Sequence, residues 1–477
     1  MPDTVSVIDL FAGPGGLGEG FSSFVRHDGT RSFDIRLSIE KDPFAHQTLQ
    51  IRSFFRQFGP DEVPAAYYEF LRAADRSLTS RRDELFGTHP QIAEATTAEA
   101  WHAELGKTDP AVVRERIAQA LQDAENWVLL GGPPCQAYSL IGRSRNRGNA
   151  EYVPEDDHRQ YLYVEYLQVL ADHQPAMFVM ENVKGLLSAT LQNQRVFERI
   201  LDDLAAPSVA IRREKRNLAR PSGTRRDCRY RLFSIVSDGL FGAIELRKFV
   251  VPMEQYGIPQ ARHRIIVIGV REDLGNVKPQ PLAIQPLVTV RQVLSGLPRL
   301  RSGISREPDD SEKWFGCLHA AESKRWFRAS ANRAGKETYQ ELVTALESLT
   351  RPRCGRGGEF IEGDVSVAYR TEWYLDDRIG GVCHHNTRGH MVKDLWRYLY
   401  AACFARARGQ SPNLKHFPAD LLPAHRNVSD AMNSSQFSDR FRVQVFDRPA
   451  TTVTSHIAKD GHYYIHPDPT QCRSLTV

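Results

Sequence analysis

Five short apolar runs rich in β-branched residues constrain this chain most: SVIDLF (6–11), RLSIE (36–40), NWVLLGG (126–132), AMFVMEN (176–182) and HRIIVIG (263–269). Each ends at glycine or a polar position, and helical patterns lie between them. That alternation predicts an α/β fold of β-α units around a parallel sheet buried on both faces. One covering helix is legible in TDPAVVRERIAQALQDA (108–124), where Asp109 before Pro110 forms the cap and first turn. Val113, Ile117, Leu121 and Ala124 then share a face.

The sheet domain is expected over residues 1–275, with a helical, charged elaboration within 50–125 whose stretch 50–107 carries no interpretable motif. VKPQPLAIQPL (277–287) marks a change of character. A second, smaller domain over 276–440 reads as short strands, loops and one clear helix, MVKDLWRYLYAACFARA (391–407). Residues 441–477 are read as a return segment to the first domain.

At 477 residues, with 41% hydrophobic and 25% charged residues, the chain is long enough for two or three domains and ordinary in composition for a globular protein. No apolar run approaches the roughly 18 residues of a membrane span, and MPDTVSVIDL lacks the basic start of a signal peptide, so a cytoplasmic protein without a membrane partner is expected. Seven cysteines (135, 228, 317, 354, 383, 403, 472) are scattered without a C-x-x-C pair. Reduced thiols are expected, and a reactive one is permitted. The net charge is only +4, but residues 212–231 hold nine Lys or Arg against two acids. A solvated hairpin would tolerate this; a phosphate-contacting patch, which gains from counterion release, is the favoured reading.

Gly13, Gly15 and Gly18 match G-x-G-x-x-G after the first strand, and Glu40 ends the second strand where a ribose-binding acid would stand. Such a loop fits a nicotinamide or flavin cofactor nearly as well as S-adenosylmethionine, and a tight turn without any ligand also fits. GGPPCQAYS (131–139) is more specific, because it sets Cys135 just past a strand on a loop stiffened by Pro133 and Pro134. A buried packing cysteine is the commoner use of a lone thiol, yet these flanks are not apolar. Glu181 ends the next strand, so if the two strands are neighbours a nucleophile and an acid share one crevice. Gln260, Arg262 and Arg264 alternate at the start of the last run, which predicts one common face.

Together these stretches resemble the DNA cytosine C5-methyltransferases. The resemblance rests on DLFAGPGG (9–16), Glu40, GGPPCQAYS (131–139), DHRQYLYVEYLQVL (157–170), ENVKGLL (181–187), QARHR (260–264) and RPATTVTS (448–455), in the family's order. It implies a Rossmann-like S-adenosylmethionine-dependent methyltransferase domain beside a mixed target-recognition domain, acting on double-stranded DNA in restriction-modification or host defence. Carbon 5 of cytosine is a poor nucleophile, so a thiolate adds at carbon 6 while nitrogen 3 is protonated, and the resulting enamine attacks the sulfonium methyl group. By this resemblance Cys135 is the nucleophile, Glu181 protonates nitrogen 3, Arg264 holds O2 and Arg262 supports the site. The base is flipped out of the duplex to reach them.

The same resemblance assigns Asp9, Phe11, Ala12, Gly13, Gly15, Gly16, Glu40 and Leu162 to the cofactor. It assigns Gln136, Ser139, Asn182 and Gln260 to the substrate, and the basic loop GRSRNRG (142–148) closes on the DNA. CHHNTRGHM (383–391) invites a zinc reading through Cys383, His384, His385 and His390, but no paired C-x-x-C supports a metal and none is assigned. The family's Gly-Asn-x-Val-Pro-like element is missing from the sequence, and QCRSLTV at the end resembles its lead-in. The expectation is that either a fragment of the gene is read or a second polypeptide supplies that piece, that a restriction or defence partner accompanies the protein, and that the chain alone methylates slowly or not at all. The alternative is an inactive DNA-binding remnant.

Overall fold

In a computed structural model, the structure describes residues 4–59, 61–73, 76–134, 162–191, 194–214, 227–237, 245–333, 335–424, 428, 439–459 and 461–476. The chain forms two compact units. Residues 1–67, 82–252 and 263–283 make the first, and residues 68–81, 253–262 and 284–477 the second. Residues 441–477, read from the sequence as a return segment, fall in the second unit, whose core takes Phe441, Val443, Ile465 and Cys472.

The first unit is built on a sheet of eight strands among the described residues. They are β1 (Val5–Leu10), β2 (Phe33–Glu40), β3 (Ala100–His102), β4 (Trp127–Gly131), β5 (Met177–Val183), β6 (Tyr230–Phe233), β7 (Val250–Pro252) and β8 (His263–Arg271). The order is β3-β2-β1-β4-β5-β8-β6, with β7 also pairing β8. The first five strands pair in parallel, whereas β8 runs antiparallel to β5, β6 and β7. The chain winds outward from β1 through β2 to β3, then restarts at β4 on the other side of β1. A crevice at the carboxyl ends of β1 and β4 is the consequence, and ligands bind at such reversals.

Both faces of the sheet are covered, which is why the runs read as continuously apolar. Ile8, Leu10, Leu129, Phe178 and Ile265 pack on one face against α4 (Pro110–Leu121) and α5 (Leu162–His173). Val7, Ile35, Val128 and Val179 pack on the other against Leu17 and Phe21 of α1 (Gly16–Ser22). Each fully buried aliphatic or Phe side chain contributes about 1.5–3 kcal/mol. Helix α2 (Pro43–Arg56) starts where Asp42 accepts from the amides of Phe44 and Ala45, with Pro43 in the first turn. Helix α4 starts in the same way, from Asp109 and Pro110. Between them, Ala65–Arg72, Leu78–Thr88 and α3 (Pro90–Glu99) make residues 50–107 mostly helical, as their composition suggests.

One expectation fails. Gln260, Arg262 and Arg264 do not share the face of one strand, because Gln260–Ala261 pairs with Ala450–Thr451 and the next strand begins only at His263. The Arg262 amide folds back to the Gln260 carbonyl at 2.7 Å, and that turn breaks the period-two alternation.

The second unit is more helical than its sequence suggests. Besides Val392–Arg408 it contains Ser311–His319, Arg325–Arg333 and Lys336–Glu347, which enclose Trp314, Trp326, Leu346, Tyr398 and Tyr400. Among the described residues no helix is long and apolar enough to cross a membrane, and no group of His, Cys, Asp or Glu could hold a metal ion. In the His-rich stretch, His385 bonds the Pro298 carbonyl at 2.8 Å and His390 bonds Ser474 Oγ at 3.0 Å.

Candidate active site at the strand ends

The glycine turn follows β1 directly. Phe11 takes a left-handed backbone (φ 57°), as do Gly13 (φ 57°) and Gly15 (φ 89°). For Phe11 this is strain of the kind that collects at functional sites. At Gly15 a side chain would also collide, since its Cβ would stand 2.8 Å from Leu49. The turn reaches across to β2: the Gly13 amide donates to Glu40 Oε2 at 2.7 Å, and the Asp42 amide donates to Oε1 at 2.6 Å. Two backbone amides thus fix the Glu40 carboxylate at the mouth of the crevice.

A cleft of about 170 Å³ opens there. Phe11, Ile39, Ala103, Leu105 and Leu162 give it apolar walls, and Glu40, Lys41, Gly132 and Pro134 complete it. Glu104, the acid that follows β3, points its charge at Lys41 (3.1 Å) and Lys107 (3.0 Å). Asp9 does not line the cleft. It is 1% exposed, and neither carboxylate oxygen meets a hydrogen-bond partner of good geometry. Burial pushes its pKa up to about 7 against the opposing pull of Arg56 and the Gly18 amide. Sequence reasoning missed the neighbouring ion cluster, in which buried Arg56 of α2 pairs with Glu19 of α1 and Glu99 of α3. Only the fold brings these residues together.

Strands β4 and β5 are parallel neighbours, as the crevice reading requires. Cys135, Gln136, Ser139 and the basic loop 142–148 lie outside the described residues, as does most of the basic stretch 212–231. The loop toward Cys135 is described as far as Pro134. Asn182, assigned to the substrate by resemblance, is 4% exposed and donates its amide to the Pro133 carbonyl at 3.0 Å. It therefore ties the end of β5 to the proline loop.

Glu181 meets Arg264 Nε at 2.7 Å across the β5–β8 pair. The N–H direction is not that of an aligned hydrogen bond, so the contact is a close ion pair. Arg264 also donates to the His263 carbonyl at 2.9 Å. Gly132 leaves room for the acid, since a Cβ there would stand 3.3 Å from Glu181 Oε2. In the second unit, Gln260 Oε1 accepts from the Val453 amide at 3.1 Å and Thr452 donates to the Ala261 carbonyl at 2.7 Å, joining QARHR to RPATTVTS.

Residues 100–207, which span β4, Cys135 and Glu181, match the family described as C-5 cytosine-specific DNA methylase. The chain is similar to Type II methyltransferase M.Bpa9945I of Bacillus paralicheniformis, 27% identical over 490 residues that cover 99% of this chain and 88% of that one. It is also similar to Type II methyltransferase M.AgeI of Thalassovita gelatinovora, 22% identical over 97% of this chain and 87% of the other. DNA (cytosine-5-)-methyltransferase M.ApeKI of Aeropyrum pernix is 29% identical over 56% of this chain and 45% of its own. Residues 100–207 carry a match to the C-5 cytosine-specific DNA methylase domain, and the similarity to these relatives marks the chain as an enzyme of the DNA cytosine-5-methyltransferase class.

Proposed function

We propose that this enzyme transfers a methyl group from S-adenosyl-L-methionine to carbon 5 of a cytosine flipped out of duplex DNA, as the modification arm of a restriction-modification system. The observation that carries the reading is the Glu181–Arg264 pair at the end of β5, next to the parallel strand that leads into Cys135. The relatives named Type II methyltransferases support the restriction-modification role.

The residues around the cleft fit the cofactor. Glu40, held by the Gly13 and Asp42 amides, presents a carboxylate to ribose hydroxyls, while Phe11, Leu105 and Leu162 offer apolar walls to an adenine. Ala12, Gly15 and Gly16 shape the turn at the methionine end, and Asp9 acts from beneath it. S-adenosylmethionine supplies, when bound, an electrophilic methyl group.

The Cys135 thiolate adds to carbon 6 of cytosine, and Glu181 delivers a proton to nitrogen 3, so that electron density gathers at carbon 5. Arg264 donates to O2 and holds the Glu181 carboxylate against β5. Once carbon 5 carries the methyl group, a base takes its proton, the thiolate leaves carbon 6, and nitrogen 3 returns its proton to the Glu181 carboxylate, which restores both the ring and the acid. Arg262 and Gln260 support the site from the turn between the two strands, and Gln136 and Ser139 close on the DNA.

Incubation with S-adenosylmethionine and duplexes containing 5-fluorocytosine tests this reading, because fluorine cannot leave as the proton does. A covalent protein–DNA adduct is expected, absent from a Cys135→Ser variant. DNA binding without any adduct would overturn the covalent mechanism.

The space at Gly132 gives a further expectation. Gly132→Ala displaces the Glu181 carboxylate by a few tenths of an ångström without touching the core. Methylation should fall by about ten- to a hundredfold, with the melting temperature unchanged. An unaltered rate would show that Glu181 works from another position.

A further inference from the structure

We propose that Trp373 and Tyr374 contact the DNA duplex that carries the target cytosine; the inference rests on the DNA substrate of the preceding reading. The two side chains lie side by side in the short helix Thr371–Tyr374 of the second unit, 49% and 53% exposed. Adjacent large aromatic residues left in water mark a surface that meets a partner.

The second unit holds this pair firmly. On one side Tyr369 is 9% exposed, donates its hydroxyl to the Gly257 carbonyl at 2.6 Å and meets the Tyr374 ring at 5.7 Å. On the other, Asp376 accepts from the Tyr68 hydroxyl at 2.8 Å and pairs with Arg378 at 2.8 Å. Upstream, Ser366 lies so closely on Gly296 that a Cβ there would collide with the Ser366 carbonyl oxygen. Between these ties Arg370 adopts a left-handed backbone (φ 41°, ψ 61°), which a non-glycine residue keeps only where its surroundings impose it. A surface turn tied at both ends and strained between them is a rigid display.

Its attachment identifies the occupant. Gly257 lies three residues before Gln260, in the segment assigned to the target base, and Gln260 is bonded in turn to Val453. The aromatic turn and the base-directed segment are therefore one hydrogen-bonded piece of the second unit. Every base offers a π-face, and extruding one cytosine leaves its neighbours open to stacking by aromatic rings. The exposed Arg370 beside the rings suits the phosphate backbone.

Equilibrium binding of a fluorescein-labelled, mixed-sequence duplex tests the proposal, with cytosine methylation mapped in parallel. Trp373→Ala and Tyr374→Ala are each expected to weaken duplex binding about tenfold. Trp373→Phe should bind like the wild type, and all three variants should keep their melting temperature and their affinity for S-adenosylmethionine. Unchanged duplex affinity in both alanine variants overturns the proposal, and so does an equal loss in Trp373→Phe. If the wild type methylates cytosine while the alanine variants bind normally, the contact fails and the methyl-transfer reading stands. If the alanine variants lose binding while the wild type methylates nothing, the contact stands and the transfer reading fails.

Discussion

Replacing Glu181 with glutamine is expected to lower the rate of cytosine methylation by about 10²–10⁴-fold, the range over which a positioned proton donor acts. Glutamine keeps the length of the side chain but has no acidic proton to give nitrogen 3, and it breaks the 2.7 Å ion pair with Arg264. Two groups that share one task are disturbed at once, so Arg264→Lys in the same background should add less than it costs alone. S-adenosylmethionine affinity should be unaffected, because Glu40 is held at the end of β2 by the Gly13 and Asp42 amides, independently of Glu181. Single-turnover methylation, measured beside cofactor binding, separates the two. A variant that methylates at the wild-type rate would show that the proton reaches the ring without Glu181.

The sequence exposed most of the sheet and little of what anchors it. Strands β1, β2, β4, β5 and β8 were legible because burial on both faces makes them short, unbroken apolar runs. Glu40 and the glycines were legible as types at a spacing, but the Gly13–Glu40 bond joins residues 27 apart and depends on β1 and β2 pairing in register. The Arg56 cluster was invisible for the same reason, with partners 37 and 43 residues away. Arg262 misled because alternation assumes an unbroken strand, and one turn at its amide undoes that. Asn182 was legible as a base contact by motif alone, whereas its bond to the Pro133 carbonyl, on the loop after β4, depends on β4 and β5 lying side by side. The helices at 311–347 were not legible because their apolar faces are completed only by contacts with Val392–Arg408, far along the chain.

Stability measured against pH should single out Asp9. Its pKa stands near 7 in the folded chain against an ordinary 3.8, first because the carboxyl is buried, with Arg56 and the Gly18 amide opposing and Glu40 and Glu99 adding to the rise. A raised acid favours the fold only while protonated. Its contribution is therefore complete below about pH 4, declines as the pH rises toward 7, and is lost above it, a change of about 4 kcal/mol in all. Asparagine at this position has no proton to lose, so Asp9→Asn should escape the decline. Urea unfolding at pH 4.5 and pH 8 is the measurement: the stability difference between variant and wild type should move in favour of the variant by a few kcal/mol between the two. Parallel profiles would mean that Arg56 or solvent neutralises the carboxylate after all. An acid that weakens its own domain at neutral pH, two residues before the strained Phe11, is expected to be kept for the cleft that Phe11 lines. The stabilised variant should therefore bind S-adenosylmethionine more weakly at pH 8, in the same experiment that shows it unfolding later.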